Sequence, residues 1–497
     1  MSPEGHIRSN LEGLAFIGPE IILALAVVIL LGLGVLIRYR RHRTLFTILG
    51  VAALAGSLLP LWGLPPPARN LTVLSGLFVW DRLTFFFTLF FALAAAFTVT
   101  LTHASREIDN LGYVECVLLV LAVTTGMMLL VASTDLLMIY LAFETMGILS
   151  YLLVGIKTRD LRSGEAALKY VLYGAFTSGT MLFGFSLLFG LAGTTDLVEI
   201  SHRVAAASRQ PQERLLLILA VLFFLAGLLF KTASFPFHFW CPDVYEGAPT
   251  PITAFLSVGP KAAGFGLFIR LFYPLFATGH EAAAHGAIPG LNWPAVLALV
   301  SAVTMTLGNL VAIHQNNLKR LLAYSSIAHA GYLLMGIVAL SDLGLRAVIF
   351  YLVVYLFMNL GAFGVVAVVA GAGGNEEIQS YRGLGSTTPY TAVAMAVFLF
   401  SLVGLPPFAG FVGKVYLFAA IISSGIYWLA VVAAINTVIS LYYYLRVVKA
   451  MFFEKPAYAL ELKVSLGSHL MLTVLLIPTL GLGIYWQPVA AFVRGMF

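Results

Sequence analysis

The chain has 497 residues, of which 60% are apolar and only 10% are charged, whereas soluble domains carry about 25% charged residues. The formal net charge of +6 fits loop lysines and arginines that face anionic lipid, and it does not indicate nucleic-acid binding. The only cysteines, Cys116 and Cys241, are too few for a disulfide scaffold, a cysteine-ligated iron–sulfur cluster or a four-cysteine zinc site.

Fourteen apolar segments are long enough to cross a bilayer, which needs about 20 residues per helix. Numbered spans 1 to 14, they run over 14–37, 44–63, 78–102, 112–132, 134–156, 164–191, 214–235, 247–273, 293–313, 321–340, 344–371, 389–424, 427–452 and 464–490. Span 1 does not have the pattern of a cleaved signal peptide, so we expect it in the mature chain. The longest polar stretch, near 199–214, is expected to be a linker. The pattern predicts an all-α polytopic membrane protein with about fourteen transmembrane helices.

Prolines interrupt two of the spans. Span 7 runs into FPFHFW from Phe235, and span 12 contains GLPPFAGF from Gly404. Proline removes a backbone donor, so in lipid the freed carbonyls must face protein or water. Broken helices at corresponding places in two halves favour two inverted five-helix repeats, spans 4–8 and 9–13, with a transport site near the midplane. Simple proline kinking is the alternative.

The expected organisation has four parts. Residues 1–111 form helices 1–3, 112–274 the first antiporter-like repeat, 293–452 the second repeat, and 464–497 the C-terminal helix 14. If the N-terminus lies outside, the inner loops collect most of the loop lysines and arginines. By the positive-inside rule both termini are therefore expected on the outer side.

Ionisable side chains recur inside the spans of both halves, where each charge costs at least about 2.5–3.5 kcal/mol at the helix centre. They are Glu144, Lys169, Lys231, His238, Lys261, His329 and Lys414. Lys169 can equally form a structural pair with Glu165, and His329 can equally be a satisfied core histidine. Asp135, at the start of span 5, is expected to be a helix cap. Glu144, Lys231 and Lys414 are the hardest to explain structurally.

The chemistry of these groups suits protons. Burial disfavours the charged form of a lysine, whereas a nearby carboxylate favours it. A lysine whose partner approaches and withdraws therefore holds and releases a proton near neutral pH. Histidine titrates in this range and can pass a proton between its two ring nitrogens.

Three stretches carry a family resemblance: FKTASFPFHFWCPDVYEGAPTPITAFLSVGPKAAGF (230–265), LGNLVAIHQNNLKRLLAYSSIAHAGYLLMGI (307–337) and FSLVGLPPFAGFVGKVYLF (400–418). Together they resemble the antiporter-like proton-translocating subunits of respiratory complex I, over spans 4 to 13. Within this family the chain resembles the subunit N type. Subunit M has a glutamate where this chain has Lys414, and subunit L continues into a long lateral helix, whereas this chain ends about seven residues after span 14.

The resemblance implies a role for each candidate residue. Glu144 matches the span 5 glutamate that pairs with the span 7 lysine, here Lys231. Lys261 matches the connecting lysine of span 8, and Lys414 the terminal lysine of the outer half-channel. The lower-ranked candidates are Lys169, which matches the span 6 lysine, with His238 and His329, which match links along a hydrated central axis.

The resemblance also implies partners and location. We expect no cofactor in this chain, because Rossmann and P-loop glycine patterns and cysteine ligands are lacking. FMN, iron–sulfur clusters and quinone would belong to partner subunits, among which are adjacent antiporter-like and small membrane subunits. The expected location is the bacterial inner membrane, in contact with lipid and not with nucleic acid.

Three alternatives remain at this point. A cation/proton antiporter of the related family would have no redox partner, and a sodium site would be expected to add carboxylates to the axis. A photosynthetic or hydrogen-evolving relative of complex I would take electrons from ferredoxin. A purely structural membrane scaffold is disfavoured by the buried charges.

Overall fold

The computed structural model describes residues 13–37, 42–64, 70–105, 107–108, 112–208, 210–276, 292–455 and 464–496. Within these ranges, thirteen helices are long and apolar enough to cross a membrane. They are Leu14–Leu36, Arg43–Gly63, Arg82–Ala104, Tyr113–Ala132, Leu136–Val154, Leu161–Ala192, Pro211–Thr232, Thr250–Phe276, Trp293–Ala312, Leu318–Val338, Asp342–Gly371, Tyr427–Phe453 and Leu466–Ile484. The predicted all-α polytopic class is confirmed. Residues 1–12, which belong to the first expected part, and residues 277–291, which lie between the two expected repeats, are outside the described ranges.

Span 12 is not among these thirteen helices, because a break divides it into two shorter apolar helices, Pro389–Val403 and Ala409–Ser423. Gly404 ends the first half at φ +86°, a left-handed conformation that glycine adopts without a steric penalty. Span 7 ends at Thr232, where Ala233 has φ +56°, and the chain resumes in the half-helix Trp240–Gly247. Both predicted breaks are confirmed.

A few short elements connect the spans. Strands β1 (Leu71–Val73) and β2 (Phe78–Trp80) form an antiparallel hairpin in which Leu71 lies opposite Trp80. Short helices occupy Leu384–Thr387 and Gln487–Arg494, 3₁₀ turns occupy Leu14–Ile17 and Ile378–Tyr381, and Arg43–Gly63 is bent between Ser57 and Pro60. The predicted cap is confirmed, because the Asp135 carboxylate accepts the backbone N–H groups of Leu137 and Met138.

The stretch 199–214 connects spans 6 and 7, and the linker predicted there is helical over Leu197–Ala207. Asp196 caps its first turn by accepting the N–H groups of Val198 and Glu199. Three apolar side chains at helical spacing, Leu197, Ile200 and Val204, are buried against the spans. The polar residues between them lie on the opposite side of the helix and concealed this stripe.

The most enclosed helices are span 8 and span 10, whose apolar cores are almost entirely buried by other helices. Span 1 and span 14, by contrast, leave most of their surface to the outside. Enclosure by other spans is what allows an ionisable side chain to avoid lipid at membrane depth. The fold therefore offers protected positions to Lys261 in span 8 and His329 in span 10.

The loops meet on two opposite faces. On one, the "charged face", Lys169 pairs with Asp243, and Lys319 pairs with Glu376. On the other, the "opposite face", the Thr195 hydroxyl donates to Asp135, and the hairpin packs beside Ser133. Both described ends of the chain lie at the opposite face, since a Cβ atom at Gly13 would lie 3.3 Å from the Leu74 backbone nitrogen and one at Gly495 would lie 3.5 Å from the Arg82 guanidinium.

Candidate functional site

Glu144 and Lys231 lie together between spans 5 and 7. Lys231 is 2% exposed, and its ammonium nitrogen lies 4.8 Å from the centre of the Phe143 ring and within electrostatic range of Glu144. A Cβ atom at Gly147, one helical turn beyond Glu144, would lie 3.3 Å from Lys231 Nζ. Within the described part of the chain, Lys231 Nζ and Glu144 Oε1 have no hydrogen-bond partner. Buried polar atoms of this kind call for water or for a moving proton.

Lys261 lies toward the middle of the molecule. Its side chain is 1% exposed, and its ammonium group donates to the backbone carbonyl of Ser326 at 2.7 Å and to the Ser326 hydroxyl. Asn359 donates to Ser257, one turn before Lys261. Spans 8, 10 and 11 are thus joined by polar side chains at this depth.

His329 is surrounded by tyrosines. Its Nδ1 lies 2.7 Å from the Tyr351 hydroxyl, and its ring centre lies 5.3 Å from that of Tyr355 and 6.0 Å from that of Tyr332. The imidazole can exchange a proton with the Tyr351 hydroxyl, whichever nitrogen carries it. The contact with Tyr351 satisfies one ring nitrogen, so it fits both a proton link and the satisfied core histidine that the sequence analysis left open.

Lys414 lies on the far side of Tyr332. It is 4% exposed, and its ammonium group lies 4.5 Å from the Tyr332 ring centre. It donates to the Val403 carbonyl at 2.7 Å and more weakly, at 3.4 Å, to the Thr437 hydroxyl. The Lys414 side chain packs against the break itself, because a Cβ atom at Gly404 would lie 2.8 Å from Lys414 Cδ.

The five residues therefore follow one another across the enclosed spans. The order is Glu144 and Lys231, then Lys261, then His329, then Lys414. Their immediate neighbours are hydroxyl-bearing side chains, most of which the sequence analysis missed: Tyr151, Ser326, Tyr332, Tyr351, Tyr355 and Thr437. Tyr351 and Tyr355, four residues apart in span 11, were the available signal, because that spacing puts both on one helix face.

Two predicted residues lie apart from this row. The His238 ring packs against Phe239, with ring centres 4.3 Å apart, and against Phe235. The His238 contacts that the structure describes do not reach the lysines. Lys169 lies at the charged face with its side chain 38% exposed. It pairs with Glu165 at 2.7 Å, the alternative that the sequence left open, and with Asp243 at 2.7 Å.

Around Lys169 the charged face forms a cluster that holds the half-helix Trp240–Gly247. Arg320 donates to Asp243 at 2.6 Å and to Glu246 at 2.8 Å, beside a cavity of about 260 Å³. Burial alone would raise the pKa of the Asp243 carboxyl, but hydrogen bonds from Lys169 and Arg320 outweigh burial and hold that pKa below its ordinary value. The cluster links span 6, the half-helix after the first break and span 10.

A metal site is not evident in the ranges that the structure describes, since they contain no group of three or more His, Cys, Asp or Glu residues placed to hold an ion. The arrangement is instead one of separate titratable groups, of which Lys261, His329 and Lys414 bond to hydroxyls or backbone carbonyls. Such a row can pass protons.

Comparison with known proteins places the chain in a family. Residues 133–440 match the family described as NADH:quinone oxidoreductase/Mrp antiporter, TM. The NADH-quinone oxidoreductase subunit N of Anaeromyxobacter sp. (strain Fw109-5) is 44% identical, over 97% of this chain and 96% of that protein.

Solved structures agree with this result. A chain in the structure of respiratory complex I from Thermus thermophilus with bound aureothin is 31% identical, with a TM-score of 0.79 over 96% of this chain and 100% of that chain. A chain of the Mrp complex from Dietzia sp. DQ12-45-1b has a TM-score of 0.81 over 97% of this chain and 96% of that chain, but at 20% identity it shares the fold alone. The predicted resemblance is confirmed: the chain belongs to the NADH-quinone oxidoreductase subunit N family of antiporter-like membrane proteins.

Proposed function

We propose that this chain is a proton-translocating membrane subunit of an NADH–quinone oxidoreductase. The observation that carries the proposal is the row from Glu144 to Lys414, in which four of the five titratable groups are buried and Lys261, His329 and Lys414 bond to hydroxyls or carbonyls. Charges at this depth are costly and are kept for ion or proton pathways. Electron transfer from NADH to quinone, with FMN and iron–sulfur clusters, is the work of partner subunits.

The roles follow the order of the row. Glu144 controls whether Lys231 keeps its proton, since an opposite charge favours the ammonium form and its withdrawal favours release. Lys261 and His329 carry the proton through the middle, and Lys414 is the terminal group of the second half. His238 and Lys169 contribute from outside the row, Lys169 as part of the charged face.

The charged face is the cytoplasmic face in this proposal, and both termini lie on the outer side of the bacterial inner membrane. The excess of lysine and arginine in the inner loops supports this orientation. Adjacent antiporter-like and small membrane subunits cover part of the remaining surface, and lipid covers the rest. The repeats correspond to residues 112–274 and 293–452, with 1–111 and 464–497 outside them.

The test is to purify the chain from its native membrane in mild detergent and to assay what arrives with it. The proposal expects flavin and iron–sulfur absorbance, NADH–quinone activity, and NADH-driven proton transport after reconstitution into vesicles. If redox centres are present but are not reduced by NADH, the chain belongs instead to a ferredoxin-linked relative of the complex. Cation/proton exchange without redox centres would replace it with an antiporter.

A further inference from the structure

A polar seam runs from Lys414 toward the charged face between spans 9, 10 and 13, and no role has so far been given to it. Its members are Thr437, Tyr332, Asn436, Asn309 and Tyr443. We propose that this seam supplies Lys414 with protons from the charged face, by a route that does not pass through Lys231 or Lys261. The inference rests on the proposed function and deepens it, because it assigns a second entry to the same row.

The upper part of the seam contacts Lys414 directly. The Thr437 hydroxyl donates to the Ala433 carbonyl at 3.0 Å, which leaves its lone pairs to Lys414 Nζ at 3.4 Å and the Tyr332 hydroxyl at 3.1 Å. The Tyr332 hydroxyl also interacts with Asn309 of span 9. Polar groups thus lie side by side from the middle of span 12 to span 9.

The lower part continues along span 13. Asn309 donates to the Asn436 amide oxygen at 3.1 Å and accepts from the Tyr443 hydroxyl at 3.0 Å. Asn309, Asn436 and Tyr443 are each no more than 2% exposed. Three buried polar side chains at one junction of two apolar helices are costly unless they are bonded to one another, as they are here.

The seam ends near the surface. One turn beyond Tyr443, the Arg446 guanidinium donates to the backbone carbonyls of Ile313 and Gln315 in the loop between spans 9 and 10. Both loop residues are partly exposed, and Gln315 also accepts from Arg320 of the charged cluster at 3.3 Å. The path therefore reaches the charged face within one helical turn of its last buried hydroxyl.

The chemistry balances as a simple relay. A proton enters at the charged face, each hydroxyl accepts one proton as it releases its own toward the next group, and the neutral amine of Lys414 becomes an ammonium group. The amides of Asn309 and Asn436 do not carry the proton. In the proposal they are positioning residues, which align the tyrosine hydroxyls so that bridging water completes the relay between them.

The test uses the complete complex with Thr437→Val, which keeps the side-chain shape and removes only the hydroxyl. NADH-driven proton transport in vesicles is expected to fall about fivefold, which corresponds to roughly 1 kcal/mol for the lost hydrogen bond. The solvent deuterium isotope effect should rise, because proton delivery to Lys414 becomes rate-limiting. Thr437→Ser, which retains the hydroxyl, should restore both values.

Thr180→Val is the matched control, because the bond that the structure describes for the exposed Thr180 hydroxyl goes to the Phe176 carbonyl of its own helix. Tyr443→Phe is a second variant that removes one hydroxyl from the lower part and should reproduce the effect of Thr437→Val. Unchanged transport and isotope effect in both assembled variants, with transport lost in Lys414→Ala, would overturn the seam alone. Normal transport in Lys414→Ala would instead overturn the proposed function.

Discussion

The ammonium group of Lys414 donates a 2.7 Å hydrogen bond to the carbonyl of Val403, the residue at which the first half of span 12 ends. In a continuous helix this carbonyl would accept from the residue four positions on, but that residue is Pro407, which has no N–H. The lysine therefore satisfies an acceptor that the broken helix creates. At the first break the Phe230 carbonyl accepts both the Ala233 N–H, at 3.0 Å, and the Trp240 indole N–H, at 3.1 Å, and Lys231 instead lies within electrostatic range of Glu144.

Replacing Lys414 by glutamate is expected to harm proton transport less than replacing it by alanine. A protonated glutamate can still donate to the Val403 carbonyl and can still carry a proton, whereas alanine can do neither. NADH-driven proton transport by the reconstituted complex measures the difference. Equal losses in Lys414→Glu and Lys414→Ala would argue for a specific requirement for lysine.

Adding one methyl group beside Lys231 is expected to slow transport without disrupting assembly. In Gly147→Ala the new Cβ lies 3.2 Å from the Tyr151 hydroxyl and 3.3 Å from Lys231 Nζ, so one of these groups must shift by a few tenths of an ångström. Gly179→Ala in span 6 is the control, because a Cβ there has no neighbour within 4 Å. If both variants transport protons at the parental rate, the position of the Lys231 ammonium is less critical than proposed.

Lys169→Ala is expected to reduce transport only in part, in contrast to a change at Lys231. The Lys169 side chain is 38% exposed and shares Asp243 with Arg320, so an alternative cation remains at the same carboxylate. Its ion pairs are of the exposed kind that contribute at most about 1 kcal/mol. Transport rates of the two alanine variants, measured side by side, check this order, and complete loss in Lys169→Ala would reverse it.

Asp81→Asn is expected to destabilise the protein, because it leaves a buried guanidinium without its carboxylate. Asp81 accepts from Arg270 at 2.5 and 3.1 Å and caps span 3 through the Thr84 N–H, while Arg270 also donates to the Val131 carbonyl. Breaking such a buried pair costs about 3–5 kcal/mol. The thermal unfolding temperature of the variant should therefore lie clearly below that of the parent.

The pH dependence of that difference is a separate test. Burial alone would raise the pKa of Asp81, but the Arg270 guanidinium and the hydrogen bonds from Thr84 outweigh burial and hold the pKa below its ordinary value of 3.8. A lowered pKa contributes stability above the ordinary value, and that contribution is lost as pH falls through the folded pKa. The difference in the free energy of unfolding between the parent and Asp81→Asn should thus be the same at about pH 7 and at about pH 5. A difference that grows as the pH falls from about 7 to about 5 would mean that the pKa is raised.

Much of the fold could be predicted from the sequence. Apolar length sets the spans, and the prolines near Phe235 and Gly404 mark both breaks, because a helix cannot continue without its N–H donors. The helix Leu197–Ala207 was not predicted, because only one narrow face of it is apolar. The hairpin at β1 and β2 escaped because strands of three residues carry too little periodic signal.

The candidate site was predictable only in its charged members. A charge inside a span is conspicuous, so Lys231 and Lys414 could be identified without a structure. Tyr332 and Thr437 could not, because tyrosine and threonine are common in membrane helices and only tertiary packing brings them to Lys414. The same limit applies to His238. Its position after the first break suggested that it belongs to the row, although its described neighbours are aromatic rings.

The most direct test of the central claim is the number of protons moved per electron by the complex that carries Lys231→Ala. The variant should first be shown to assemble and to retain its redox centres, and then be reconstituted into vesicles beside the parent and the Gly179→Ala control. We expect proton transport per electron to fall sharply, because the group that Glu144 controls is gone. An unchanged ratio in a correctly assembled complex would contradict the role of the buried row.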